Sequence, residues 1–350
     1  MMKENKTIKV GSFFSGIGSP EKALKKLKQE RIIDDYEVMF FSEIDKSAIK
    51  SYCTIHNINS ELNWGDITKI NGENLPYCDL WIGGFPCQDI SYAGKMKGFE
   101  FTSSTRSSLG WEMIRLLKEV KEKPQYVIFE NVASIINKKF KNTLVLFKEE
   151  LINLGYKLYD DILCAINYGI PQNRTRYFLI AILNDCKTFS FPKPVFDHCI
   201  LKDFLDKEVD EKYYLTYDKY EENNNTRWFT KKNLNELIYE VDIEKYKKGG
   251  LCGKDHSTKF TQSSRIYSDN GFAPTLTRSN TALNCKLVVS EEIMRIRKIT
   301  PKEAWRLMGF EDKDFVAASQ VCKETALYKQ AGNSIVVNVL YFILKELFEK

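Results

Sequence analysis

Between residues 8 and 183, six short apolar segments alternate with four amphipathic ones, and this alternation restricts the possible folds more than any other feature of the chain. The amphipathic segments carry apolar residues at helical spacing, whereas the apolar segments have the length of buried strands. Strand–helix alternation over this length predicts an α/β fold with a doubly wound, Rossmann-like sheet. The predicted strands are IKVGSFF, YEVMFFSEI, CDLWIGGF, YVIFENV, DILCAIN and RYFLIAIL, and the predicted helices are SPEKALKKLKQE, KSAIKSYCTIH, SSLGWEMIRLLKEV and NTLVLFKEELINLG.

The alternation stops near residue 190. FPKPVFDH, with two prolines, and the polar YEENNNTRWF follow, and strand–helix alternation does not resume until the last helix, SIVVNVLYFILKELFEK. We therefore predict a larger domain of residues 1–190 and 320–350, with the last helix packed back on it, and a second, smaller domain of residues 191–319.

The cysteines and charges narrow the class of protein. Nine cysteines are scattered without a C-x-x-C motif, and the chain has only three histidines, so we expect no metal site and a reducing, cytoplasmic location. No segment reads as a signal peptide or a membrane span, so no membrane association is expected. The net charge of +5 permits an anionic partner without requiring one.

The first predicted strand leads into the turn FFSGIGSPEKAL. Gly16 and Gly18 permit a tight turn, Ser19 is suited to cap the following helix, and Pro20 is suited to its first position. Glu21 stands where a dinucleotide site would have Gly or Ala, and a carboxylate at a helix N-terminus repels a pyrophosphate. The turn therefore favours a ligand without phosphates over a nicotinamide dinucleotide.

Two acids follow at the ends of later predicted strands. Glu43 ends the second strand, where a carboxylate can accept hydrogen bonds from ribose hydroxyls. Asp66 lies where a further strand would end, and it could accept from an adenine amino group. With the glycine turn, these acids predict a phosphate-free adenosine cofactor, of which S-adenosylmethionine is the commonest.

In GGFPCQDIS, Cys87 could be a nucleophile, a metal ligand, half of a disulfide or an inert buried thiol. The scattered cysteines argue against a metal site or a disulfide. Gly83 and Gly84 permit close approach of a ligand, and Pro86 stiffens the turn that presents Cys87 at a strand end. Glu130, at the next strand end, is expected to face the same cleft. Further along, in QNRTRYFLI, Arg174 and Arg176 are expected on one face of a strand, where they would bind an anion or an electron-rich ring.

The motifs FSGIG, PCQ, ENV, QNRTR, RKITPKEAWRLMGF and AGNSIVVNV resemble, in order and spacing, those of the bacterial-type DNA (cytosine-5) methyltransferases. The resemblance spans the chain except for residues 185 to 260, where members of that family differ. It implies that Cys87 attacks C6 of cytosine, that Glu130 contacts the N3 edge of the ring, and that Arg174 and Arg176 hold the base and stabilise the thiolate and the adduct. It also implies that the cofactor is S-adenosylmethionine and the product S-adenosylhomocysteine.

By the same resemblance, the S-adenosylmethionine pocket is expected to be lined by residues from the strand ends and the turns that follow them. Ile44 departs from members that place an aromatic ring there to stack on adenine. The expected cofactor-binding residues are Phe14, Gly16, Gly18, Glu43, Ile44, Asp66, Ile67, Pro86, Leu109 and Asn333.

The resemblance implies that the partner is double-stranded DNA, with the target cytosine flipped into the cleft. The segment after Cys87 resembles a lid over the DNA, and residues 245–286, with eight Lys or Arg against two acids, resemble a recognition region. RKITPKEAWRLMGF carries a capping box, and its Trp305, Leu307 and Met308 are expected in the core. The expected DNA-binding residues are Gln88, Ser91, Lys95, Arg106, Arg265, Thr275, Leu276 and Arg278.

The predicted function is methylation of C5 in a specific short duplex sequence, as the modification enzyme of a restriction–modification system. The main alternative is a cytosine-5 methyltransferase acting on tRNA with the same motifs, although no CFT-type motif of that branch is present. A catalytically dead regulatory relative would carry a damaged nucleophile or pocket, and a dinucleotide oxidoreductase would leave Cys87 without a role. A monomer without an obligate protein partner is expected, with a cognate endonuclease encoded nearby.

Overall fold

A computed structural model describes residues 7–86, 106–184, 187–195, 199–215, 220–223, 226–231, 234–255, 264–277, 285–289 and 295–349. The chain divides into two compact units. The first comprises Met1–Cys164, Thr175–Pro194 and Ile335–Lys350, and the second Ala165–Arg174 and Val195–Ser334. This division differs from the predicted boundaries, because residues 165–174 and 320–334 group with the second unit and residues 191–194 with the first.

One six-stranded sheet forms the centre of the first unit. Its strands are β1 (Thr7–Phe13), β2 (Asp35–Ser42), β3 (Leu80–Gly84), β4 (Tyr126–Val132), β5 (Tyr156–Cys164) and, after a short β6 (Gln172–Asn173) that pairs elsewhere, β7 (Thr175–Leu183). The order is β2-β1-β3-β4-β7-β5, with the first four strands parallel and β7 antiparallel to both its neighbours. All six predicted strands are therefore confirmed, and the parallel α/β pattern ends at β4.

The four predicted helices are also present: α1 (Ser19–Gln29), α2 (Lys46–His56), α3 (Gly110–Glu119) and α4 (Lys141–Asn153). One face of the sheet buries Phe13, Trp81 and Phe129 in a cluster with Met113 of α3 and Phe147 of α4. Successive side chains of a strand point to opposite faces, and the alternate residues Val10, Leu80 and Ile128 are buried too. Both faces of the sheet are covered, which explains why its strands read as continuous apolar segments.

The second unit contains a seven-stranded sheet of order β15-β14-β12-β11-β10-β9-β8. Its elements are β8 (Tyr220–Asn223), β9 (Thr226–Lys231), β10 (Leu234–Asp242), α5 (Ile243–Lys248), β11 (Gly250–Asp255), β12 (Arg265–Ser268), β13 (Ala273–Pro274), β14 (Lys286–Val289), β15 (Arg295–Lys298), α6 (Pro301–Arg306), α7 (Asp312–Ser319) and α8 (Glu324–Asn333). β13 is outside that sheet and pairs in parallel with β6. This pairing is one reason why residues 165–174 belong to the second unit.

The capping box predicted at α6 is confirmed. The Thr300 hydroxyl accepts from the Glu303 amide at 3.2 Å, and the Glu303 carboxylate accepts from the Thr300 amide at 2.8 Å. The same carboxylate forms a fully buried ion pair with Arg297 at 2.7 Å. Trp305 is buried and donates through its indole N–H to the carbonyl of Leu327 in α8 at 3.0 Å. Residues 324–333 are thereby tied to the second unit.

The last helix, α9 (Val337–Phe348), packs against α1 in the first unit, as predicted. The Lys26 ammonium lies 4.1 Å from the centre of the Tyr341 ring. Residues 324–348 are long and apolar enough to span a membrane by length and composition, with a mean hydropathy of 1.3, but 61% of that window is buried in the protein. The burial is that of a core helix.

Candidate active site

The turn after β1 has an unusual backbone. Phe14, Gly16 and Gly18 have positive φ angles of 51°, 57° and 82°. For Phe14 this conformation is strained, which is common where a turn lines a ligand site. Gly18 is itself the N-cap of α1, so the predicted cap, Ser19, is instead the first helical residue, with Pro20 second.

The end of β2 holds this turn in place. The Ser15 amide donates to the Ser42 carbonyl at 3.2 Å, and the Gly16 amide donates to Oε2 of Glu43 at 2.9 Å. Oε1 of Glu43 accepts from the amides of Ile44 and Asp45, both at 2.8 Å. A carboxylate oxygen accepts two hydrogen bonds, so the bond from Gly16 leaves Oε2 with capacity for one further donor, such as a ribose hydroxyl.

His56, for which the sequence predicts no role, supports the turn. Its Nε2 donates to the Ile17 carbonyl at 3.0 Å, and a Cβ at position 18 would lie 2.0 Å from the same nitrogen. Glycine is therefore required at 18 both for its backbone angle and for the space that the imidazole occupies. Burial lowers the pKa of His56 to about 4, so the ring is neutral near pH 7.

We expect His56 to make the folded chain sensitive to mild acid. The unfolded imidazole takes up a proton near pH 6.5 and the folded one only near pH 4, so stability is lost as the pH falls between these values. Between pH 7 and pH 5 the free energy of unfolding should fall by about 2 kcal/mol on account of this residue. Urea unfolding of the wild type and of His56→Gln at both pH values measures it. An equal pH dependence in the two proteins would contradict the assignment.

Glu21 does not face a ligand, contrary to the argument made from the sequence. Its side chain is fully buried, and Oε1 accepts from the Tyr52 hydroxyl at 2.8 Å. Burial raises the pKa of this carboxyl. Its role is therefore internal to the packing of α1 on α2.

Asp66 and Ile67 lie in a turn, not at a strand end as predicted for Asp66. Asp66 caps the short 3₁₀ helix Ile67–Lys69, with Oδ1 accepting from the amide of Thr68 at 3.1 Å and from its hydroxyl at 2.8 Å. No hydrogen bond to Oδ2 is formed within the described part of the chain, so this oxygen can accept from an amino group. Ile67 is buried, whereas the Ile44 side chain is 71% exposed, an unusual environment for an aliphatic residue.

The described residues stop at Pro86, the last residue of GGFP and the one immediately before Cys87, and resume at residue 106. Gly84 pairs with Glu130 across β3 and β4, and a Cβ at position 84 would lie only 2.9 Å from Oε2 of Glu130. The side-chain amide of Asn131, in the same ENV motif, donates through Nδ2 to the Phe85 carbonyl at 3.0 Å. Asn131 thus fixes the backbone two residues before Cys87, a contact that the sequence reading missed. Cys87 lies outside the described residues.

Glu130 and Arg176 form the charged pair of the first unit's site. Glu130 is 8% exposed, and its Oε1 lies 3.1 Å from Nε of Arg176. Their strands are antiparallel, with Val132 opposite Arg176, so the pair is a diagonal one on one face of the sheet. The structure thus brings together two of the residues that the sequence predicts to contact the base.

Arg174 lies one residue before β7 and groups with the second unit, whereas Arg176 lies within β7, so strand alternation alone does not give them a common face. Its guanidinium is buried and donates to the carbonyls of Leu276, Gly332 and Ser334 at 2.8, 3.1 and 2.8 Å. The two-residue alternation that predicted a common face holds only within one strand. These hydrogen bonds connect Arg174 to three backbone carbonyls within the second unit, which is a structural role.

The remaining predicted residues fall into three groups. Leu109 is the N-cap of α3 and packs against the core, Pro86 is half-buried, and Asn333 is exposed in the second unit. Arg265 is exposed and Thr275 half-buried, whereas Leu276 is 1% exposed and its side chain is not available to DNA. Of the basic stretch, Lys286 is also buried. Gln88, Ser91, Lys95 and Arg278 lie outside the described residues, as does the Arg106 side chain.

Comparison with known proteins agrees with this geometry, and the fold, with its central sheet, is an α/β methyltransferase fold. The protein-family model described as C-5 cytosine-specific DNA methylase matches residues 8–349 of the chain. The chain belongs to this family.

Two relatives in sequence and one similar structure represent the proteins that this chain resembles. The orphan methyltransferase M.SPRI of Bacillus phage SPR is 31% identical over 97% of this chain and 97% of its own. The type II methyltransferase M2.ScrFI of Lactococcus lactis subsp. cremoris is 36% identical over 92% of this chain and 81% of its own. The Entamoeba histolytica methyltransferase EhMeth is similar in structure, with a TM-score of 0.73 at 20% identity over 98% of both chains. The last comparison concerns the fold alone.

The chain is therefore a DNA (cytosine-5) methyltransferase, and its methyl donor is S-adenosylmethionine. The residues described above suit this cofactor. The remaining acceptor capacity of Glu43, the unused Oδ2 of Asp66 and the exposed Ile44 offer, in turn, groups for ribose, for an adenine amino group and for an adenine face.

Proposed function

We propose that this enzyme methylates C5 of a flipped-out cytosine in one short duplex DNA sequence, through a covalent bond between Cys87 Sγ and C6 of the base. The observation that carries the proposal is the pair of buried Glu130 and half-buried Arg176 beside Gly84, three residues before Cys87. A buried carboxylate with an arginine can bind the polar edge of a cytosine, which has both donors and acceptors there.

Each residue has a role in the proposed chemistry. The Cys87 thiolate adds to C6 while the Glu130 carboxyl donates a proton to N3, and Arg176 stabilises the negative charge that develops on the ring; Glu130 takes the N3 proton back when Cys87 leaves. The bound cofactor supplies an electrophilic methyl group, which C5 of the resulting enamine takes up. Water then removes the C5 proton, and Cys87 leaves by β-elimination, which restores both the aromatic ring and the free enzyme. In this scheme Arg176 alone contacts the base, and the base contact expected for Arg174 is not part of it.

The cofactor would be held by the turn after β1 and by two acids, Glu43 after β2 and Asp66 in a later turn. Phe14, Gly16 and Gly18 shape the turn, and Glu43 and Asp66 accept from the ribose and the adenine. The other residues proposed to line the pocket are Ile44, Ile67, Pro86, Leu109 and Asn333.

Ile44 provides a test of the adenine subsite. Ile44→Phe should bind S-adenosylmethionine about 3- to 10-fold more tightly, because an aromatic ring stacked on adenine adds about 0.5–1.5 kcal/mol. Ile44→Ala should bind it more weakly. Isothermal titration calorimetry measures both, and unchanged affinities would place adenine elsewhere.

Duplex DNA would be held by the segment after Cys87 and by the second unit. Gln88, Ser91, Lys95 and Arg106 are proposed to close over the flipped base. Arg265, Thr275 and Arg278 are proposed to contact the duplex. The buried side chain of Leu276 is proposed to support this segment from inside the protein. We further propose a monomeric cytoplasmic enzyme that protects DNA from a cognate endonuclease encoded nearby; the relative M2.ScrFI is named a type II methyltransferase.

Bisulfite sequencing of DNA from cells that express the protein tests substrate, chemistry and site together. We expect converted reads to retain cytosine at one short motif. Purified enzyme should also transfer labelled methyl groups to duplex DNA and not to tRNA, assayed side by side. Label in tRNA alone would overturn the proposal in favour of the tRNA alternative.

A further inference from the structure

Two buried side chains grip the backbone of Leu276 from both sides. The Leu276 amide donates to Oε1 of Gln172 at 3.1 Å, and the Leu276 carbonyl accepts from Arg174 at 2.8 Å. Gln172, Arg174 and Leu276 are 0%, 4% and 1% exposed. Hydrogen bonds of this kind, closed off from water, hold a backbone more firmly than exposed ones, because opening them leaves buried polar groups unsatisfied.

The grip extends over the whole segment that leads to Leu276. β13 pairs with β6 so that Ala273 is opposite Gln172 and Pro274 opposite Asn173. The Ala273 amide donates to the Pro171 carbonyl at 2.8 Å, and the Thr275 hydroxyl donates to the Asn173 carbonyl. Residues 273–276 are therefore fixed, residue by residue, by residues 171–174.

Arg174 and Gln172 also reach two other parts of the second unit. The second terminal nitrogen of Arg174 donates to the carbonyls of Gly332 and Ser334, on either side of Asn333, at 3.1 and 2.8 Å. Nε2 of Gln172 donates to the Leu307 carbonyl at 2.7 Å. The rigid, planar guanidinium can span several carbonyls at once, and a lysine ammonium in its place cannot.

We propose that Arg174 is a positioning residue that fixes Thr275 and Leu276 for the choice of DNA site and fixes the backbone around Asn333 for the cofactor. The inference rests on the proposed function, in which Thr275 belongs to the DNA-reading segment and Asn333 to the cofactor pocket. Arg174 touches neither base nor cofactor. Arg176, two residues further along the chain, carries the contact to the base.

The test compares Arg174→Lys with Arg176→Lys. Both enzymes methylate a library of duplexes with randomised sequence, and bisulfite sequencing gives the ratio of methylation at the preferred site to that at sites differing by one base pair. For Arg174→Lys we expect this ratio to fall by about tenfold, the discrimination that one base pair commonly provides, and the KM for S-adenosylmethionine to rise. For Arg176→Lys we expect kcat to fall with the ratio unchanged.

Gln172→Glu serves as a second variant should Arg174→Lys fail to fold. It keeps an acceptor for the Leu276 amide but loses the donor to the Leu307 carbonyl, so a reduced ratio is again expected. A general loss of stability would lower methylation at all sites together and leave the ratio intact. An Arg174→Lys enzyme with lower kcat but unchanged ratio and KM would overturn the inference and make Arg174 catalytic. A wild-type enzyme that leaves DNA unmethylated would overturn the proposed function instead.

Discussion

Cys87→Ala is expected to lower methyl transfer to duplex DNA by about 10⁴-fold or more, the scale seen when a covalent nucleophile is removed. The C5–C6 bond of cytosine does not attack a methyl group unaided, and without Sγ no enamine forms. The variant should also lose the stable adduct that the wild type forms with duplexes carrying 5-fluorocytosine, since fluorine cannot leave as the proton does. Single-turnover kinetics and denaturing gels measure the two effects.

Cys53→Ala is the matched control. Cys53 is half-buried on α2, and desolvation raises the pKa of its thiol, so it is a poor nucleophile. Its alanine variant should keep both transfer and adduct formation. Were Cys87→Ala to remain active, or Cys53→Ala to lose the adduct, the covalent mechanism proposed for Cys87 would be wrong.

Glu130→Gln is expected to lower kcat by about 10²- to 10³-fold, as loss of a charge-stabilising or proton-donating group in a closed site does. The amide can still accept from Arg176, so the local packing should be kept, but it cannot take up and return a proton at N3. DNA affinity should change little, because binding rests mainly on phosphate contacts made elsewhere.

Glu149→Gln controls for the change of charge, since Glu149 is exposed on α4. Steady-state kinetics with each substrate varied, together with DNA binding by fluorescence anisotropy, separate kcat from affinity. A Glu130→Gln enzyme with normal kcat and weakened DNA binding would assign Glu130 to DNA binding instead of to the chemistry.

The fold of the first unit could be predicted from periodicity because its sheet is buried on both faces. Strands such as β3 then appear as unbroken apolar segments, and α3 and α4 repeat apolar residues at helical spacing. Periodicity carries no information on strand direction, so the antiparallel β7 was not foreseen. It likewise could not foresee that β6 would leave the sheet to pair with β13, since that pairing depends on residues about one hundred positions apart.

Part of the candidate site could be predicted for a similar reason. Glu43 follows β2 directly and Glu130 lies near the end of β4, and the ends of parallel strands meet at one edge of the sheet. The expectation that Arg174 and Arg176 share one face assumed that strand alternation begins before Thr175, where β7 starts. His56 and Asn131 were missed because their contacts, to Ile17 and Phe85, are with backbone far along the chain and leave no local pattern.

The packing of α9 on α1 has a consequence for synthesis on the ribosome. Residues 337–348 cover a helix that was made some three hundred residues earlier, and the chain leaves the first unit twice before it returns at Ile335. Until residues 337–348 have been made, the face of α1 that packs against α9 lacks its cover. The nascent chain therefore exposes that face while the roughly three hundred intervening residues are synthesised, and transiently exposed surface of this kind favours aggregation and chaperone binding.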